Sequence, residues 1–149
     1  MALDATLAFF HFLFVFILVG ALSAEMFVMR LTPNAQIVAL VARIDIFYGL
    51  SALGLIVAGV LRVMYGAKGP EFYMASHAFA AKMAVFFTIG VLSIWPTMTF
   101  LRWRRAAKTD RAFTPAAHDW KKMRRFVTIE THLLALVIVF AVLTARAIG

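Results

Sequence analysis

The chain has no cysteine among its 149 residues. That absence excludes disulfides, thiolate-held metals, iron–sulfur clusters and haem attached through cysteine. Charge is also scarce, at 15% of residues, where a soluble domain carries about 25%. Acidic residues are the rarer sign, seven Asp and Glu against fifteen Lys and Arg. Nucleotide-binding glycine loops, nucleophile elbows and zinc signatures are missing as well. What fills the space is apolar: 64% of the residues are hydrophobic, and the mean hydropathy is +0.91. Such a chain needs hydrocarbon rather than water around most of its surface.

A membrane-spanning helix takes roughly 20 apolar residues, so this length holds about four spans and short links, with no second domain. Span one covers Ala5–Ala24. The Asp4 before it and its length argue against a cleaved signal peptide. Thr32-Pro33-Asn34 is a turn signal, and the uncharged part of span two lies between Asp45 and Arg62. Tyr65 to Pro70 forms the next link, with Pro70 suited to a first helical turn. Spans three and four read as Met83–Leu101 and Phe126–Ala145. The expected architecture is an all-α membrane protein, residues 1–149 forming one four-transmembrane-helix antiparallel bundle. Gly20 with Ala24, and Gly54 with Ala58, have the small-residue spacing that lets helices approach closely.

Nine of the fifteen basic residues, from Arg102 to Arg125, fall between spans three and four. By the positive-inside rule that connection is cytoplasmic and both termini lie outside, on the periplasmic side of a bacterial inner membrane. The same rule accounts for the net charge of +8, so a nucleic-acid partner is not expected. Contact with anionic lipid headgroups is a by-product. Trp103, Trp120 and Phe113 are expected as interfacial anchors.

Ionisable residues inside a span are expensive and mark function by default. They fall into two layers. His11, Arg62, Lys82 and, further out, His77 lie towards the termini; Glu25, Arg43, Asp45, Glu130 and His132 lie towards the basic connection. His11 and Glu25 are 14 residues apart, so they share a face of span one about 21 Å apart along the axis. Glu130 and His132 point about 200° apart, so only one of them faces the bundle centre. Histidine among apolar helices suits an axial ligand of haem b, which needs no cysteine. On that reading His11 is the ligand, His132 or His77 the second, and Arg62 and Lys82 pair with propionates or substrate carboxylates. Equally, the residues allow plain structural pairing, a histidine hydrogen-bonded between helices, or a proton or metal-ion path through Glu25, Asp45, Glu130 and His132. In the other layer, His132 is expected to donate to Glu25 or Asp45, with Tyr48 contributing its hydroxyl.

Several stretches resemble one bacterial membrane family, called domain of unknown function 2214. They include His11, Gly20 and Glu25, then Arg43-Ile44-Asp45-Ile46-Phe47-Tyr48-Gly49, Gly59-Val60-Leu61-Arg62-Val63-Met64-Tyr65 and Phe79-Ala80-Ala81-Lys82. Ser93-Ile94-Trp95-Pro96-Thr97, Phe100 to Arg105 and Glu130-Thr131-His132-Leu133 continue the match along nearly the whole chain. A more distant likeness is to the HemJ-type protoporphyrinogen IX oxidase and to CopD-like membrane proteins. In the HemJ type a histidine of the first helix and a lysine of a later one matter, and haem b is bound. His11 and Lys82 are the matching positions. Ala80 stands where that pattern has a second histidine.

Together these readings imply a haem b protein acting in electron transfer or in oxidation of a lipophilic or tetrapyrrole substrate. Lys82, Glu25 and Asp45 are its expected catalytic residues, and His11 and His132 its metal ligands. Transport, which with so few spans calls for a homodimer, and an accessory role in a larger complex are the alternatives.

Overall fold

The computed structural model describes residues 2–146; the expected positions of Met1 and Gly149 fall outside them. Four long helices carry the fold: α1 (Ala2–Val28), α2 (Ala35–Tyr65), α4 (His77–Thr109) and α5 (Ala117–Ala145), with a short α3 (Gly69–Met74) between α2 and α4. Each long helix is apolar enough and long enough to cross a membrane. The starts are set locally. The Asn34 side chain accepts a hydrogen bond from the Ile37 N–H at 2.9 Å, and the Ser76 hydroxyl accepts one from Phe79 at 3.2 Å, each satisfying a donor left free by a helix end. Pro70 does open a helix, but it is α3 rather than the third span.

The spans were expected to be shorter than the helices are. Hydropathy ends at Leu101 and resumes at Phe126, whereas α4 runs on to Thr109 and α5 begins at Ala117. Alanine, lysine and arginine are good helix formers, so the basic stretches continue the helices, and among the nine basic residues only Arg111 sits in the true loop. Pro96 lies inside α4 without ending it.

Neighbours around the bundle run α1, α2, α4, α5 and back to α1. The core is concentrated at the end carrying the basic loop, where Met29, Val38, Val41, Phe100, Met123 and Val127 are fully buried. Trp103 and Trp120 stack at 5.8 Å between ring centres. The Trp120 indole donates to the Met29 carbonyl at 3.1 Å, capping the last turn of α1 from a different helix. Both rings are interior, contrary to the expected role as interfacial anchors. At the other end the ties are lighter: Asp4 accepts from the Ala67 N–H at 3.1 Å, and Lys68 donates to the Ala145 carbonyl at 3.0 Å.

The small-residue pairs divide. Gly54 packs directly under the Phe14 ring, in the space its own Cβ would need, and Ala58 is buried. Gly20 and Ala24 are both exposed, and a Cβ at Gly20 would meet nothing. A broad coat of exposed Phe, Leu, Ile and Val covers the helices, the surface hydrocarbon solvates.

Candidate functional site

The fold gathers the intramembrane ionisable residues into two clusters of opposite sign. The first lies towards the termini and draws on three helices: His11 from α1, Arg62 from α2 and Lys82 from α4. The two cations are near enough to His11 to act on it through their charge, and Arg62 acts likewise on Lys82. The His11 ring faces Gly59, where a Cβ would stand 3.7 Å away. Arg62 rides over the Phe12 ring at 5.4 Å, and Lys82 over the Phe79 ring at 4.7 Å. Among the described residues no carboxylate lies within ion-pair distance of them. Among the described residues the one acid–base contact within ion-pair distance is His118 with Asp119, far away on α5. The His11 Nδ1 and the Arg62 Nε are buried with no hydrogen-bond partner.

His77, a possible second ligand in the sequence reading, is exposed at the first turn of α4. Its direction, about 140° around the helix from Lys82, takes it away from the cluster.

The second cluster lies towards the basic loop and is acidic. Glu25, Asp45 and Glu130, from α1, α2 and α5, are only 1%, 2% and 1% exposed. They sit close enough for their charges to interact. Thr97 of α4 donates to Asp45 Oδ1 at 2.9 Å, and buried Tyr48 lies beside Ser93 and the acids. Each carboxyl group has a fully buried oxygen without a partner: Glu25 Oε2, Asp45 Oδ2 and Glu130 Oε1. Even so, no three His, Asp or Glu side chains among the described residues are arranged to hold a metal ion.

Here the sequence reading needs correcting. His132 was expected to donate to this cluster and to serve as a metal or haem ligand. It is exposed on the outer face of α5, and its Nδ1 bonds the Thr128 carbonyl of its own helix at 2.7 Å. Glu130 takes the inward direction instead. The angular argument excluded both from pointing in, yet nothing in one sequence decided which. Arg43, which lies in the same layer by sequence, is exposed too. The expected catalytic set is likewise divided: Lys82 belongs to the first cluster, Glu25 and Asp45 to the second.

Between the clusters the space is closed by apolar side chains. Leu18 and Leu22 of α1 and Ile89 of α4 are buried there, with no ionisable group among them.

A family model described as "Predicted membrane protein (DUF2214)" matches residues 3–149. The chain belongs to this family. No curated protein and no solved structure matches it. The family description agrees with the four apolar helices and makes this a multi-pass integral membrane protein; it assigns no activity. The first cluster draws on His11, Gly59-Arg62 and Lys82, and the second on Glu25, Asp45, Thr97 and Glu130, so each takes residues from three or more separate parts of the family region.

Proposed function

We propose that this membrane protein binds an amphipathic acid of the tetrapyrrole class, haem b, at the His11–Arg62–Lys82 cluster, and serves in electron transfer or oxidation of a lipophilic substrate. The observation that carries the reading is the gathering of three nitrogen bases in an apolar bundle, with no carboxylate among the described residues within ion-pair distance. Half-buried cations left uncompensated in an apolar bundle carry a cost, and a ligand bearing carboxylates offsets it. The residues fit the group in two respects. His11 offers a buried ring nitrogen without a partner, and Arg62 offers a buried donor in the same state. His11 would hold the iron, and Arg62 and Lys82 the propionates. With His77 and His132 both turned outward, the chain supplies one axial histidine. Haem b, when bound there, supplies one-electron redox chemistry. Gly59 faces the His11 ring, where even a Cβ would make only ordinary contact, and Phe12 and Phe79 lie beneath the two cations. With the basic loop inside, the site opens towards the outer face of a bacterial inner membrane.

The absorption spectrum of protein purified from haem-replete cells tests this reading. A Soret band is expected, lost in His11→Ala and reduced several-fold in Arg62→Gln and Lys82→Gln. A colourless wild-type protein overturns it.

The acidic cluster favours a second reading, proton handling, because three carboxyl groups share one apolar region with no cation beside them. His132 plays no part in it. Proton flux into liposomes carrying the protein is the measurement, and unchanged flux in Glu25→Gln, Asp45→Asn and Glu130→Gln removes the idea.

A further inference from the structure

Four basic residues of α5, His118, Lys121, Lys122 and Arg125, have the i, i+3, i+4, i+7 spacing of one helix face. Together they line an open hollow of about 410 Å³. On neighbouring α4 a second stripe, Val91, Ile94, Trp95, Met98, Thr99 and Arg102, lines a mostly apolar hollow of about 420 Å³. Lys122 links the two, since its ammonium lies 4.9 Å over the Trp95 ring. Arg102 closes the apolar hollow at the loop end.

The junction falls where both helices leave the apolar spans. Hydropathy ends at Leu101 on α4 and resumes at Phe126 on α5, so the basic recess is at headgroup level and the apolar one runs into hydrocarbon. Asp119 is engaged with His118 at 3.4 Å, and no acid among the described residues pairs with Lys121, Lys122 or Arg125. Free cations above a groove that only hydrocarbon reaches match one kind of molecule.

We infer that the α4–α5 face holds an anionic phospholipid, its phosphate at Lys121, Lys122 and Arg125 and an acyl chain along Ile94, Trp95 and Met98. This goes beyond diffuse attraction of the whole basic region to a charged surface, and it is independent of what binds at His11. A soluble acidic partner has no use for the apolar groove, and a second copy of the chain would bring its own basic stretch against this one.

Trp95 reports on the site directly. It is 56% exposed, whereas Trp103 and Trp120 are 7% and 6% exposed, so bromine on a lipid chain quenches chiefly Trp95. The full chain is reconstituted in phosphatidylcholine bilayers containing small fractions of brominated phosphatidylglycerol or brominated phosphatidylcholine. Stronger quenching by the anionic lipid at equal mole fraction is expected, and Trp95→Phe abolishes the difference. Each basic residue near an anionic surface is worth about fivefold in binding. Lys121→Ala with Arg125→Ala should therefore raise the half-quenching fraction at least tenfold, with Lys122 left on Trp95. The charge-matched pair Arg105→Ala with Arg111→Ala, which lines neither hollow, removes only the diffuse share and should change it several-fold less than the first pair. Equal losses from the two pairs reduce the effect to diffuse surface charge and overturn the site. Equal quenching by the two lipids also overturns it. So does absence of quenching by either, which shows a protein surface covering the face.

Discussion

The two ionisable clusters both draw on α1 and α2 and differ in almost everything else. α1 supplies His11 to one and Glu25 to the other, on the same face. At the loop end the acids are sealed beneath Met29, Phe100, Trp103 and Trp120, all buried. At the termini end His11, Arg62 and Lys82 are only half-buried, and the chain closes over them with two light hydrogen bonds. Side-chain length explains part of the contrast. Arginine and lysine reach from an apolar stem towards the membrane surface, so a cationic cluster tolerates an open, loosely packed end. A carboxyl group on a short stem has no such reach and stays where its helix puts it. The termini end is thus the more open of the two, and the loop end the more tightly sealed.

The sharpest way to break this comparison is to open the sealed end. Trp120→Ala removes the ring stacked on Trp103 and the cap on the Met29 carbonyl, and should destabilise the bundle by about 3–5 kcal/mol. Unfolding in mixed micelles reads that loss, and an equally large loss from Phe12→Ala at the other end would show that the two ends are packed alike. Gly54→Val, next in size, drives a side chain into the Phe14 ring and should cost about 1–3 kcal/mol. Gly20→Ala, which meets nothing, should be neutral or stabilising by up to about 1 kcal/mol; thermal unfolding of the pair separates packing from helix propensity.

Within the acidic cluster, Thr97→Val takes away the one hydroxyl bonded to Asp45. A buried acceptor left unpaired costs about 1–3 kcal/mol. Restoration of stability by Thr97→Ser, but not by Thr97→Ala, is the expected pattern in the same assay. The smallest effect belongs to His132→Leu. Its ring is exposed and bonded only to its own helix, so the change should stay within about 0.5 kcal/mol, as for surface sites. A loss of several kcal/mol would place His132 in the cluster after all.

Much of this architecture was legible before any coordinates. Four spans, the turn at Thr32-Pro33-Asn34 and the separation into two polar layers follow from hydropathy and helix rise. The helix ends did not follow, because alanine, lysine and arginine continue a helix after the apolar signal stops. His11, Arg62 and Lys82 share a depth that can be counted along the chain, and they do meet. Glu130 and His132 share a depth as well, and only one of them faces inward.

Depth along a helix is set by residue number and a fixed rise, which is why the sequence alone determined the layers, the membrane class and the residues able to carry charge in them. Rotation of each helix about its axis has no such local determinant. It is decided by which faces pack best against neighbours: Phe14 over Gly54, Trp120 on Trp103 and the Met29 carbonyl, Thr97 against Asp45. Those contacts are between residues far apart in the chain, and only the tertiary structure turned His132 outward, brought Glu130 in, and divided Lys82 from Glu25 and Asp45.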